Sequence, residues 1–233
     1  MIITEFFKKR RLTKFLNACE NGDFETVSKL YSKVEINACD EDGRNGFYRA
    51  MGTGLLPIKH DKQYQNDFQR QKLIRRQKRV GAFLHAKGID VNKQDRYGQT
   101  ALRVCVDLRL SDVTRDLTNW GLNWDLPDAS HSKRMPAHQA ALHGDYYMIG
   151  QAVASHIDVN QRHRHLWTMA SMGSYQNHPK VLKVLIEQDA DLSLRDEKGR
   201  TALDCAVERN STEAQVLITE HLYPKSAQTS ALE

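Results

Sequence analysis

The chain has 233 residues, 40% of them hydrophobic and 27% charged, with 34 Lys and Arg against 29 Asp and Glu for a formal net charge of +5. This is a globular balance that excludes disordered and fibrous classes, and with a mean hydropathy of -0.63 no apolar run is long enough to cross a membrane. Cys19, Cys39, Cys105 and Cys205 are too few and too scattered for a disulfide framework, and the basic run Lys8-Lys9-Arg10-Arg11 follows the short apolar start, unlike a secretory signal.

In chain order, a first helical unit is predicted to open at Thr13 and a second at Asn45, 32 residues later. The second unit then carries an insertion at about residues 55–76. After Pro57 there is no Pro or Gly until Gly81, Asp61 stands where an N-cap belongs, and Tyr64, Phe68 and Leu73 recur at near-helical intervals. The second helix of that unit is therefore predicted to start near Asp61, run to about His85 and project past the end of the stack. From Thr100 the pattern is regular. Thr100-Ala-Leu-Arg-Val-Cys, Met135-Pro-Ala-His-Gln-Ala, Thr168-Met-Ala-Ser-Met-Gly and Thr201-Ala-Leu-Asp-Cys-Ala start 35, 33 and 33 residues apart. Between units lie Asp40-Glu-Asp-Gly43, Asp95-Arg-Tyr-Gly98 and Asp196-Glu-Lys-Gly199, each with a capping carboxylate three residues before a glycine free to take positive φ. The Thr or its substitute that follows is expected to cap the next helix.

Met135-Pro136-Ala137-His138-Gln139-Ala140-Ala141-Leu142-His143-Gly144 and this period resemble the ankyrin repeat family, whose unit is 33 residues with a Thr-Pro-Leu-His-x-Ala opening. The resemblance runs over roughly residues 10–222, with degenerate turns after Asp128 and around His163. It implies an all-α solenoid of about six helix-turn-helix units with β-hairpin-type connecting loops. These units start near 13, 45, 100, 135, 168 and 201 in a single repeat domain over residues 1–223, and a polar tail at 224–233 is expected to be disordered. Ala18, Cys19, Ala50, Cys105, Ala140, Ala141 and Ala206 are read as small core residues, and the stripes Val181-Leu182-Val184-Leu185-Ile186 and Val216-Leu217-Ile218 as the buried side of second helices.

Family resemblance also implies protein binding on the concave surface of loop tips and first helices. Carried over by position, the contact residues are Arg96, Tyr97 and Gln99 with Asp107 and Leu108, then Ser130, His131 and Arg134 with Leu142 and His143, then Arg164, His165 and Trp167 with Tyr175 and Gln176, and Glu197, Lys198 and Arg200 in the sixth unit. Arg, Tyr and Trp dominate interface energetics, and loop tips otherwise favour small polar residues. Trp120 and Trp124 are read as staples of the stack, and His138 as a structural hydrogen-bonding histidine. A second reading rests on charge. Lys8, Lys9, Arg10 and Arg11 with Lys14, and Arg70, Lys72, Arg75 and Arg76 in the insertion, could form one basic surface for nucleic acid or an anionic membrane. No phosphate loop, His-Glu-x-x-His or Gly-x-Ser-x-Gly is present, and His163 and His165 lack an accompanying ligand cluster. The expectation is a non-catalytic, monomeric, cytoplasmic module without cofactor or metal. Its partner is another protein, acidic if the basic rim takes part, and nuclear or host-delivered settings stay open.

Overall fold

The repeated Thr and Asn side chains close the first turns of their helices. Asn45 accepts from the Tyr48 amide, Thr100 from Arg103, Thr168 from Ser171 and Thr201 from Asp204, whose carboxylate returns to Thr201 in a reciprocal capping box. The protein, seen here in a computed structural model, is described at residues 2–62, 66–129 and 133–224, with backbone alone at 2–4, 60 and 164. Among the described residues it is helical without strands. The helices are α1 (Ile2–Glu20), α2 (Phe24–Leu30), α3 (Gly46–Met51), the short α4 (Pro57–His60) and the long α5 (Asp67–Ala86). They continue as the pairs α6 (Ala101–Asp107) and α7 (Ser111–Asn119), α8 (Pro136–His143) and α9 (Tyr146–Ala154), α10 (Met169–Tyr175) and α11 (Pro179–Ile186), and α12 (Ala202–Glu208) and α13 (Thr212–Leu222).

The chain forms two compact units, Met1–Ser130 and His131–Glu233. In the first, α1, α3 and α6 pack side by side, and in the second α8, α10 and α12 do so. These approaches are close because the contact positions are small: Cys19, Ala50, Cys105, Ala140, Ala141 and Ala206 are fully buried. The Cys105 thiol donates to the Met51 carbonyl at 3.1 Å across the α3–α6 seam. Trp124 is also fully buried, its indole N–H donating to Thr118 Oγ1 at 3.0 Å. Trp120 stacks on His85 with centroids 5.8 Å apart and meets Phe47 edge-on at 6.1 Å, as a staple should.

Three local expectations are corrected. Thr13 caps nothing: α1 already begins at Ile2, and the Thr13 hydroxyl turns back to the Lys9 carbonyl at 3.0 Å. With no Pro or Gly from Ile2 to Glu20, nothing forces the non-helical backbone that an N-cap requires. The insertion is not one helix from Asp61. Pro57 opens α4, Asp61 is extended, and α5 starts at Asp67, where the Asn66 side chain accepts from the Phe68 amide at 2.8 Å. Its end at Ala86 lies close to the predicted His85, and Gln77 pins its middle by donating to the Glu20 carbonyl at 2.6 Å. Val216 is exposed while Ile218 is buried, because α13 has a neighbouring pair on one side only. Tyr64 and the tail from residue 225 lie outside the described residues.

Burial pushes all four thiols above their ordinary range, but Cys19, Cys105 and Cys205 are buried away from reagent, whereas Cys39 is only half-buried. Under native conditions a disulfide-exchange reagent should label one thiol per chain, at Cys39, and the other three only after denaturation. Mass spectrometry of the labelled peptides checks this, and native labelling at Cys105 would contradict the packing of α3 on α6.

Candidate partner-binding surface

At the Asp95 turn the chain reverses because Asp95 Oδ1 accepts from the amides of Tyr97 at 2.8 Å and Gln99 at 2.9 Å, while Gly98 adopts φ 72°. This leaves Arg96 and Tyr97 at the tip. Arg96 is held on one side by Asp42 at 3.1 Å and on the other by the Tyr97 hydroxyl, to which it donates at 2.8 Å, with its guanidinium 4.9 Å from the ring centre. Tyr97 remains 53% exposed. An arginine fixed by a carboxylate and an aromatic ring loses little further freedom when it meets a partner. Gln99 is half-buried and serves the turn through its backbone.

In the second unit the turn after His163 has neither the Asp nor the Gly, yet it closes in the same register. The His163 amide donates to the Trp167 carbonyl at 3.1 Å, as the Asp196 amide does to Arg200 at 2.9 Å. The left-handed positions therefore fall on His165, φ 67°, and Leu166, φ 56°. Each costs on the order of 1 kcal/mol relative to glycine. His165 Nδ1 lies 2.6 Å from the Glu197 carboxylate of the next turn, and Leu166 is held outward, 42% exposed.

Next to this tip, Trp167 and Tyr175 meet edge to face at 5.1 Å. The Arg200 guanidinium sits 5.3 Å from the Trp167 ring centre and that of Arg209 4.7 Å from Tyr175. Asp196 accepts from Arg200 Nε at 2.9 Å and Nη2 at 2.7 Å, and Glu208 takes Nη1, so this arginine is clasped on both edges. The result is an aromatic pair flanked by two cations, one rigidly held. Arg209 escaped the sequence reading, and Leu166 stood in the unusual Arg-His-Leu-Trp tip without being named a contact residue. Leu166 occupies a glycine slot, which is a legible departure, whereas Arg209 lies just beyond α12 and carries no repeat signal.

The remaining candidates are dispersed. His143 contacts Gln139 at 2.8 Å, and Arg134 is exposed. His131 and the Arg164 side chain lie outside the described residues. Lys8, Lys9, Arg10 and Arg11 are exposed on α1, with Lys9 3.6 Å from Glu41 and Arg11 donating to the Lys33 carbonyl at 3.3 Å. Arg70, Lys72, Arg75 and Arg76 belong to α5. The two basic clusters line different grooves: Lys8, Lys9 and Arg11 face Lys33 and Val34, while Arg70 and Arg75 face α7. His138 is fully buried, with Nε2 3.0 Å from the Gln161 carbonyl and its ring 5.3 Å from that of His163. Burial first, then repulsion from His163, lowers its pKa to about 4 against the opposing pull of the Gln161 carbonyl.

Residues 129–228 match the family described as ankyrin repeats, 3 copies. Ankyrin repeat and SAM domain-containing protein 6 of Rattus norvegicus is 29% identical over 83 residues, which is 35% of this chain and 9% of that protein. Inversin of Mus musculus is 26% identical over 132 residues, 56% of this chain and 12% of its own length. The chain thus spans about a tenth of the curated relatives it matches. Among solved structures, a chain from the complex of a predatory endopeptidase of Bdellovibrio bacteriovorus with an immunity protein shares the fold. Its TM-score is 0.67 and its identity 24%, and the match covers 89% of this chain and 97% of that one.

Two stability measurements follow from the turn and its histidine. Between its unfolded pKa of 6.5 and its folded value of about 4, His138 binds a proton more readily in the unfolded chain. Stability should therefore be fully present above about pH 6.5, fall through that window by on the order of 3 kcal/mol and level off below it. Urea unfolding across this range checks the slope, which His138→Gln should flatten. Leu166→Gly removes left-handed strain and should raise the thermal midpoint by about 2–4 °C; a fall in calorimetry would show that Leu166 contributes packing that outweighs its backbone cost.

Proposed function

We infer that this chain, an ankyrin repeat protein, works as a non-catalytic protein-binding module of the adaptor, inhibitor or delivered-effector kind. Ankyrin repeats are protein–protein interaction modules whose stacked units present loop tips and first helices to a partner. The observation that carries the reading here is the Trp167–Tyr175 pair between Arg200 and Arg209, with the exposed Leu166 beside it. Core packing needs aromatics but not flanking guanidinium groups, and a clasped arginine stacked on tryptophan is the type of residue that dominates interface energies. Arg96 and Tyr97 repeat the motif at the tip of the first unit. The solved chain that shares the fold belongs to a complex of an endopeptidase with an immunity protein, which agrees with a binding role for such a module.

A second reading has its own observation. Phe6 and Phe7, 62% and 53% exposed, stand beside Lys8, Lys9, Arg10 and Arg11 on α1, an arrangement of aromatic and basic side chains suited to an anionic membrane surface. It ranks second because Lys9 and Arg11 are already engaged with Glu41 and the Lys33 carbonyl.

Affinity capture from cell lysate, at low and high salt and with nuclease added, separates the two. Trp167→Ala with Arg200→Ala should lose the retained protein at both salts, with affinity falling at least roughly tenfold while circular dichroism stays unchanged. Capture that survives these changes but disappears with salt or nuclease would overturn the loop-tip reading.

A further inference from the structure

Neighbouring second helices pack closely in most of the array, as α2 does on α5 and α11 does on α9 and α13, but α5 and α7 stand further apart. A groove of about 930 Å³ opens between them. Its walls are fixed. Trp120 packs against Gly81, where a Cβ would lie 3.2 Å from the indole and 2.6 Å from Met51 Sδ, so a larger residue would push one or both aside. Lys78 of α5 is ion-paired with Asp116 of α7. Arg115 pairs with Asp112 at 3.5 Å, and Arg79 turns aside to lie 3.9 Å from the Phe24 ring centre. Arg70, Arg75 and Arg109 also line the groove, and among the described residues none of the three has a carboxylate within ion-pair distance. Arg70 Nε is in addition buried without an acceptor there.

Arg109 carries the second, independent observation. Within each helix pair that has a tight turn, the residue that closes it takes the left-handed conformation: Gly22, Gly144, Asn177 and Asn210 in four of them, and Arg109, φ 55°, in the turn from α6 to α7. Glycine and asparagine hold that conformation at little cost, whereas arginine does not. A cation placed where the backbone penalises it, on the rim of a groove already holding two unneutralised arginines, points to a ligand and not to folding.

We propose that the groove between α5 and α7 docks an acidic amphipathic protein segment, its carboxylates on Arg70, Arg75 and Arg109 and its apolar side on Trp120. Guanidinium groups bind carboxylates bidentately, and arginine is the cation used here on the unpaired positions. Asp112 and Asp116 are already neutralised by Arg115 and Lys78, and beside its free cations the groove is lined by Ile74, Ala82, Leu110, Val113 and Trp120, a largely aliphatic surface that the apolar side of a protein segment covers and phosphates do not. This surface lies on second helices and is separate in residues from the loop-tip surface, so the module would have two contact faces.

Fluorescence anisotropy of the whole protein with a labelled helical peptide bearing one Glu-rich and one Leu-rich face tests this, alongside the same peptide with Gln for Glu and a single-stranded DNA of comparable charge. The Glu peptide should bind, the Gln peptide should not, and the DNA should bind more weakly. Arg109→Gly places the favoured residue in the left-handed slot, so its thermal midpoint should be unchanged or higher, yet it should weaken the peptide about tenfold, and adding Arg75→Glu should weaken it further. Trp167→Ala should leave this affinity unchanged, which keeps failure here distinct from failure of the loop-tip reading. No binding of the Glu peptide, equal binding by the Arg109→Gly and Arg75→Glu variants, or tighter binding of DNA would each overturn the assignment.

Discussion

Everything in this protein depends on how closely one helix pair can approach the next. A pair such as α10 and α11 has too little apolar surface to fold alone, and it becomes stable only when its small-residue seam lies against a neighbour. Cys19, Ala50, Cys105, Ala140, Ala141 and Ala206 provide that approach, each buried completely. Larger side chains there would hold the first helices apart, and the loop tips, which are fixed to those helices by capping side chains, would lose their positions. The aromatic and cationic groups at the tips are thus oriented by residues buried in the helix seams.

The turns show the same economy carried to its limit. Asp95 and Asp196 organise their loops with one carboxylate oxygen each, accepting two amides, and a glycine completes the reversal. The His163 turn keeps the register with neither residue, because the flanking helices already fix where the chain must leave and return. Strain at His165 and Leu166 is tolerated for that reason, and it holds Leu166 outward next to Trp167. Arg109 is the counterpart in the first unit. In both places a side chain that the local backbone disfavours is retained on an exposed rim, where it adds little to the core.

Much of this was legible because the repeat states the same instruction several times. Thr100, Thr168, Thr201 and Asn45 were recognisable as caps from their spacing, and they cap. The inserted segment had no second copy to compare. Asp61 and Asn66 are both competent caps by residue type, and the choice of Asn66 followed from Pro57 starting a separate short helix and from Gln77 fixing α5 against the end of α1. Thr13 misled for a related reason: an N-cap needs a break in the backbone before it, and only an interrupting residue or a tertiary contact supplies one.

The sequence by itself determined the architecture of helix pairs, the residue types in their seams and the capping of their first turns, since these are set by contacts between positions a few residues apart or repeated at a fixed period. Only the tertiary structure decided which side chains stand together. That Arg200 stacks on Trp167 and Arg209 on Tyr175, that the two basic clusters line separate grooves, and that α5 and α7 part around Arg70, Arg75 and Arg109 are consequences of how successive pairs are spaced. Those spacings come from packing between residues far apart in the chain, at Gly81 against Trp120 for example, and a linear pattern carries no record of such distances.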